Sequence, residues 1–96
     1  MTMSSQLYNE LKSLTAISAD NFVKLWLEKH SEPFENSMRK AAKKGFNNTI
    51  YSCRYDDISD IAINLLDKVL TNKYPEFNIT INREYECMFR VNVSWI

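Results

Sequence analysis

His30, Cys53 and Cys87 are the side chains of this chain best suited to nucleophilic or metal chemistry. Asp56, Asp57 and Asp60 form its one carboxylate cluster. A thiolate paired with an imidazole would make a nucleophile, but both cysteines sit in strand-like, apolar segments, where burial raises the thiol pKa and makes it inert. They are therefore expected to be free and buried, not bridged. Two cysteines and one histidine also leave a zinc site one ligand short. His30 closes a helical stretch, and there an imidazolium meets the negative end of the helix dipole, so it reads as a cap or surface residue. The three aspartates could offer oxygens to a hard cation, but they stand where a helix begins and are read as caps. With one glycine in 96 residues there is no phosphate-cradling loop. No nucleophile elbow is present, and no carboxylate pair is placed for glycoside chemistry. The expectation is a protein that is not an enzyme, with no catalytic residue, no cofactor and no metal ligand.

The residues that could recognise a partner are of two kinds. Arg39, Lys40, Lys43 and Lys44 form i, i+4 pairs on a continuous basic face. A helix C-terminus attracts such residues through its dipole alone, and a nucleic acid would find them equally attractive. The second group lies on strands. Ser52, Arg54, Asn78, Thr80, Asn82, Arg90, Asn92 and Ser94 fall on the polar side of alternating runs and contain no lysine or carboxylate. That composition suits a surface that hydrogen-bonds to a partner. An ordinary wet sheet face also favours threonine and arginine. Arg83 and Tyr85 extend the candidates into the hairpin loop, and Tyr74 looks like a further exposed aromatic.

The elements that must hold these residues follow from periodicity. Leu7, Tyr8, Leu11 and Leu14 predict a first helix over 4–15, capped by Ser4 or Ser5. Ser18, Asp20 and Asn21 cluster as turn and cap residues, after which Phe22, Val23, Leu25, Trp26 and Leu27 predict a second, running to about His30. Ser31-Glu32-Pro33 predicts a break and a third helix over 32–44, or a kinked continuation of the second. Gly45 and Phe46 supply a Schellman stop. Thr49–Tyr55 alternates as a first strand, with Tyr51, Cys53 and Tyr55 inward. Asp56 and Asp57 cap a helix whose stripe is Ile58, Ile61, Ala62, Leu65, Leu66 and Val69; it ends near Asn72, ahead of Pro75. Ile79 and Ile81, then Cys87, Phe89, Val91, Val93 and Trp95, mark two half-buried strands joined as a hairpin.

The expected fold is α+β: α-α-α-β-α-β-β, a three-stranded sheet with helices packed on one face and a C-terminal antiparallel hairpin. The last strand is inserted between the other two in a split βαβ arrangement. The predicted core includes Leu11, Phe22, Trp26, Phe34, Met38, Tyr51, Cys53, Ile61, Leu65, Val69, Ile79, Ile81, Phe89, Val91, Val93 and Trp95. A chain of 96 residues makes one domain, 1–96, and 45% hydrophobic content with 12% aromatics supports a packed interior. Twelve basic and twelve acidic residues cancel, which argues against a general polyanion binder. No apolar run is long enough to cross a membrane and the start lacks a signal-peptide pattern, so a cytoplasmic location without membrane association is expected. Strand 77–82 would form an edge without lysine or proline, so a homodimer or partner contact through it or through 83–86 is expected.

Ala41-Ala42-Lys43-Lys44-Gly45-Phe46, Thr49-Ile50-Tyr51 and the terminal Val91-Asn92-Val93-Ser94-Trp95 together give the chain a familial look. Over residues 34–96 it resembles small phage-encoded α+β proteins of the host-takeover or anti-defence type, anti-CRISPR-like proteins among them. The resemblance implies a non-enzymatic inhibitor that binds one host protein or a nucleic-acid-acting defence complex, in the cytoplasm of a bacterial host. It transfers no catalytic residues. The alternative is a small nucleic-acid-binding module using the basic 39–44 helix end.

Overall fold

The computed structural model describes residues 3–95, with side chains from Ser5 onward. Of the two expected caps, the side chain of Ser4 lies outside the described residues, and Ser5 falls inside α1, which is already helical at Met3. The order is α1 (Met3–Lys43), β1 (Asn48–Arg54), α2 (Asp60–Lys73), β2 (Asn78–Tyr85) and β3 (Met88–Ser94). The fold is α+β, and the strands form one sheet in the order β1-β3-β2, with both outer strands antiparallel to β3. β3 is thus the inserted, central strand. The ladder is extended by one bond at each end of β1, from Tyr55 N–H to Cys87 C=O at 2.8 Å and from Trp95 N–H to Asn47 C=O at 3.0 Å.

The N-terminal helices, expected as three or as two with the second continuing past Pro33, are one. α1 is 41 residues long and carries Pro33 in its interior without ending there. An interior proline removes a hydrogen bond and crowds the preceding turn, at a cost of about 3 kcal/mol. What offsets it is packing in strict i+4 steps along a single stripe: Trp26, His30, Phe34 and Met38. Trp26 and Phe34 are fully buried and Met38 nearly so. Breaking the helix at Pro33 would rotate Phe34 and Met38 off the sheet that covers Trp26. Asp20 and Asn21, read as turn residues, lie within the helix for the same reason, between buried Ala19 and Val23. The stop is where it was expected. Gly45 takes φ +90°, its N–H bonds Ala42 C=O at 2.9 Å, and Phe46 N–H reaches Ala41 C=O at 3.0 Å, the two bonds of a Schellman motif.

α1 lies across β1 and α2, and α2 lies on β2, all on one face of the sheet. Side chains four apart on a helix rise about 6 Å and side chains two apart on a strand about 6.6 Å, so the α1 and β1 ladders mesh. Phe22 meets Tyr55, Trp26 meets Tyr51, and Phe34 meets Tyr51, with ring centroids 5.1, 6.1 and 5.6 Å apart. The buried cluster is completed by Val23, Met38, Cys53, Ile63, Leu66, Leu70, Ile79, Phe89, Val91 and Val93.

Several expected core positions move. Ser59, not Asp56 or Asp57, is the N-cap of α2, its hydroxyl accepting from Ala62 N–H at 3.1 Å. Asp57 sits in the preceding turn at φ +55°. The buried stripe of α2 is Ala62, Ile63, Leu66 and Leu70; Ile61 is 56% exposed and Leu65 and Val69 are only half-buried. The two stripes lie about a quarter-turn apart on one helix, and packing against α1 and β2 selects between them. Leu11 is 52% exposed, because residues 5–18 of α1 run ahead of the sheet into solvent. The molecule is correspondingly elongated, 61 × 26 × 20 Å, with a radius of gyration of 16.2 Å, against the ~12–13 Å of a compact domain of this length.

Candidate functional site

The uncovered face of the sheet is where the largest group of expected contact residues converges. Cross-strand register builds it in four rows. Asn48, Ser94 and Asn78 form the first, and Ile50, Asn92 and Thr80 the second. Ser52, Arg90 and Asn82 form the third, and Arg54, Met88 and Tyr85 the fourth. All eight strand residues singled out by alternation lie on this face, and Asn48, Ile50, Met88 and Tyr85 join them. Every one of these twelve is exposed or half-exposed. Four are asparagines, and none is a lysine or carboxylate. The carboxylate that reaches the face, Glu84, is engaged by Arg90 at 2.6 Å. Amides and hydroxyls both donate and accept, so away from Arg54 and the Arg90–Glu84 pair such a surface can exchange water for a partner's backbone groups without stripping a charge of its solvent. Between the first two rows lies an open trough of about 300 Å³.

The basic helix end adjoins this face. Lys40 and Lys44 line a groove of about 380 Å³ with Phe46 and the β1 residues Asn48, Thr49 and Ile50. Phe46 and Ile50 are 59% and 54% exposed. Lys43 lies in the last turn of α1. Arg39 is turned along the helix onto Asn36 at 2.8 Å and Glu35 at 3.4 Å.

The remaining candidates divide. Tyr85 is 63% exposed. Tyr74 is half-buried, with its hydroxyl donating to Glu35 at 2.6 Å and stacked on Phe77, so it is a packing residue and not an exposed aromatic. Burial and the Glu35 carboxylate raise its pKa. Arg83 clamps the hairpin to the start of α2. It pairs with Asp60 at 3.0 Å and donates to the carbonyls of Ile58 and Glu86, at 2.5 and 3.0 Å. That also accounts for Asp60. Among the described residues no three His, Cys, Asp or Glu side chains gather as a metal site.

His30 is not a helix-end residue. It sits mid-helix and bridges two tyrosines, Nδ1 to Tyr51 Oη and Nε2 to Tyr55 Oη, both at 2.8 Å. A neutral ring serves both by donating through one nitrogen and accepting through the other. Burial lowers its pKa from the usual 6.5, and Lys29 beside it adds to the effect. The unfolded chain therefore binds the proton more readily. Stability from this group is complete above pH 6.5 and is lost as pH falls from there toward the depressed folded value. We expect the midpoint of urea unfolding to drop between pH 7.5 and 5.5, and by less in His30→Gln, which cannot charge. An identical drop in both proteins would rule the bridge out as the cause.

Both cysteines are free. Cys53 is buried, accepts a hydrogen bond from Trp26 Nε1 at 3.4 Å, and is pushed up to about 11 by burial. Cys87 lies in the hairpin turn, ahead of β3, and is half-buried. A colorimetric thiol titration of the native protein at pH 8 is therefore expected to show one fast equivalent, from Cys87, and a second only on unfolding. Two equally fast equivalents would contradict the buried position of Cys53.

No helix among the described residues is long and apolar enough to cross a membrane. No protein-family model, curated protein or solved structure matches this chain.

Proposed function

We propose that the chain is a non-catalytic binding protein that works by laying the open face of its sheet, residues 48–54, 78–85 and 88–94, against another protein. The observation that carries this reading is the twelve-residue face itself. It is aligned by register, rich in amides and hydroxyls, free of lysines, and uncovered by any helix or strand among the described residues. Interfaces tolerate such a surface well, because few charges must be desolvated and each amide offers two-way hydrogen bonding. An inhibitor that occludes a host protein or a defence complex, the role implied by the resemblance to phage proteins, would need no more than this. The chemistry-bearing residues support it from the other side: His30 is spent on two tyrosines and Cys53 on a tryptophan, both within the packed layer between α1 and β1. Affinity capture from a bacterial lysate with the immobilised full chain tests the reading. One partner retained in stoichiometric amount is expected, and no such partner under gentle washing would overturn it.

A second reading rests on Lys40 and Lys44 beside the exposed Phe46. Together with Arg39 and Lys43 they would let the chain bind nucleic acid. The sheet does not assist, since its aromatics other than Tyr85 point into the core and single strands are held mainly by stacking. If four phosphates are engaged, log affinity should fall with log salt at a slope of about −3 to −4. Absence of any DNA or RNA binding at low salt would dispose of this reading.

A further inference from the structure

The first part of α1 poses a physical problem that the sheet does not solve. Residues 5–18 are exposed all round the helix, and Leu7, Tyr8, Leu11, Leu14 and Ile17 are each more than half exposed. A helix of this length is marginal in water unless one face is packed, and its serines, threonine and asparagine are indifferent helix formers. Five half-exposed large side chains leave on the order of 400 Å² of apolar surface, the size at which a patch on a soluble protein marks a contact.

We propose that this arm is the contact of a homodimer, in which two copies pair their arms antiparallel and each seats its tip in a groove at the root of the other. Three observations select a second copy. Leu7, Leu11, Leu14 and Ser18 follow a 4-3-4 spacing, the seam of a helix pair, and a two-fold axis between residues 11 and 14 sets Leu11 against Leu14 twice. The same axis sets Leu7 of one copy against Ser18 of the other. Ser18 is the polar break in the seam, and it is also where the seam enters a groove of about 420 Å³ whose walls include Leu14, Phe22, Ile58 and Ala62. The groove is also lined by Asp56, Asp57 and Ser59, and its Phe22, Ile58 and Ala62 side supplies the apolar wall that Ser18 itself does not.

The third observation is charge. Glu10 and Lys12 are the only charged residues from 5 to 18, so two arms meet without like-charge repulsion. An anionic lipid surface, by contrast, would call for a basic polar face, and this one offers Gln6, Asn9 and Ser13. Both patches and both grooves together approach the ~1,200 Å² lower bound of specific interfaces, which fits a reversible micromolar dimer.

Light scattering on the full chain is the test. Wild type is expected to move from its monomer mass of 11.3 kDa toward twice that value as concentration rises, on the scale of about 10–500 µM. Leu11→Glu with Leu14→Glu should weaken the dimer at least ~100-fold while the sheet and α2 stay folded by circular dichroism. Leu7→Asp alone should weaken it too, and adding Ser18→Lys should recover it, because only the antiparallel register brings those two charges together. A monomer throughout the range would overturn the proposal. So would a dimer indifferent to the Leu11/Leu14 pair, which would place the contact elsewhere, such as the β2 edge. Failure of Ser18→Lys to recover the Leu7→Asp variant would overturn the antiparallel register.

Discussion

Replacing Phe34 with alanine should lower the free energy of unfolding by about 3–5 kcal/mol. The ring is fully buried and meets Trp26, Tyr51 and Tyr74 edge-on, at centroid distances of 5.9, 5.6 and 5.8 Å. Truncation removes the burial of a large side chain and leaves a void between α1, β1 and the end of α2, which a rigid sheet cannot close. Domains of this size hold only ~5–15 kcal/mol in total, so the variant should be partly unfolded at 37 °C. Phe34 follows Pro33 directly, which gives the measurement a second meaning. Urea unfolding that shows a loss below ~1 kcal/mol would mean that the ring is not held in the core and that α1 is broken at the proline.

Ile63→Ala and Ile61→Ala should differ sharply, although the two residues are chemically identical neighbours. Ile63 is 5% exposed and packs in the main cluster, whereas Ile61 is 56% exposed. The first substitution should cost about 2–4 kcal/mol. The second should stay within ~0.5 kcal/mol, where surface changes usually fall. Equal losses at the two positions, by the same unfolding measurement, would show that α2 is rotated from the orientation described.

The strands were legible in the sequence because a period of two leaves no phase ambiguity. Once Phe89, Val91 and Val93 are inward, Arg90, Asn92 and Ser94 must be outward, and the same holds for Ile79 against Asn78 and Thr80. The eight sheet-face residues were found this way. The insertion of β3 followed from its having the longest apolar alternation, as a strand paired on both sides requires. Helices carry a softer code. α2 has apolar residues on two neighbouring stripes, and the positions of α1 and β2 decide which is buried. The unity of α1 was hidden by the turn-like Asp20 and Asn21 and by Pro33, whose local penalties are evident in sequence while the offsetting contacts of Val23, Phe34 and Met38 in the core are not. The His30 bridge was hidden for a similar reason. Its partners Tyr51 and Tyr55 lie 21 and 25 residues away, and the match of helix and strand spacing that joins them exists only after packing. The arm was misjudged because an amphipathic stripe says that a face wants cover, not that the chain's own sheet reaches far enough to provide it.

Binding of a protein partner by the open sheet face, as proposed, is tested by a side-by-side affinity capture with wild type and with Ser52→Glu/Thr80→Glu. These positions are exposed, stand on the two outer strands, and are not register neighbours, so the fold should tolerate both carboxylates. Circular dichroism and melting curves should match those of wild type. Wild type is expected to hold a stoichiometric partner and the variant to form at least a ~100-fold weaker complex, the penalty of leaving introduced charges desolvated against a surface not built for them. Equal retention of the partner by both proteins would contradict binding through this face.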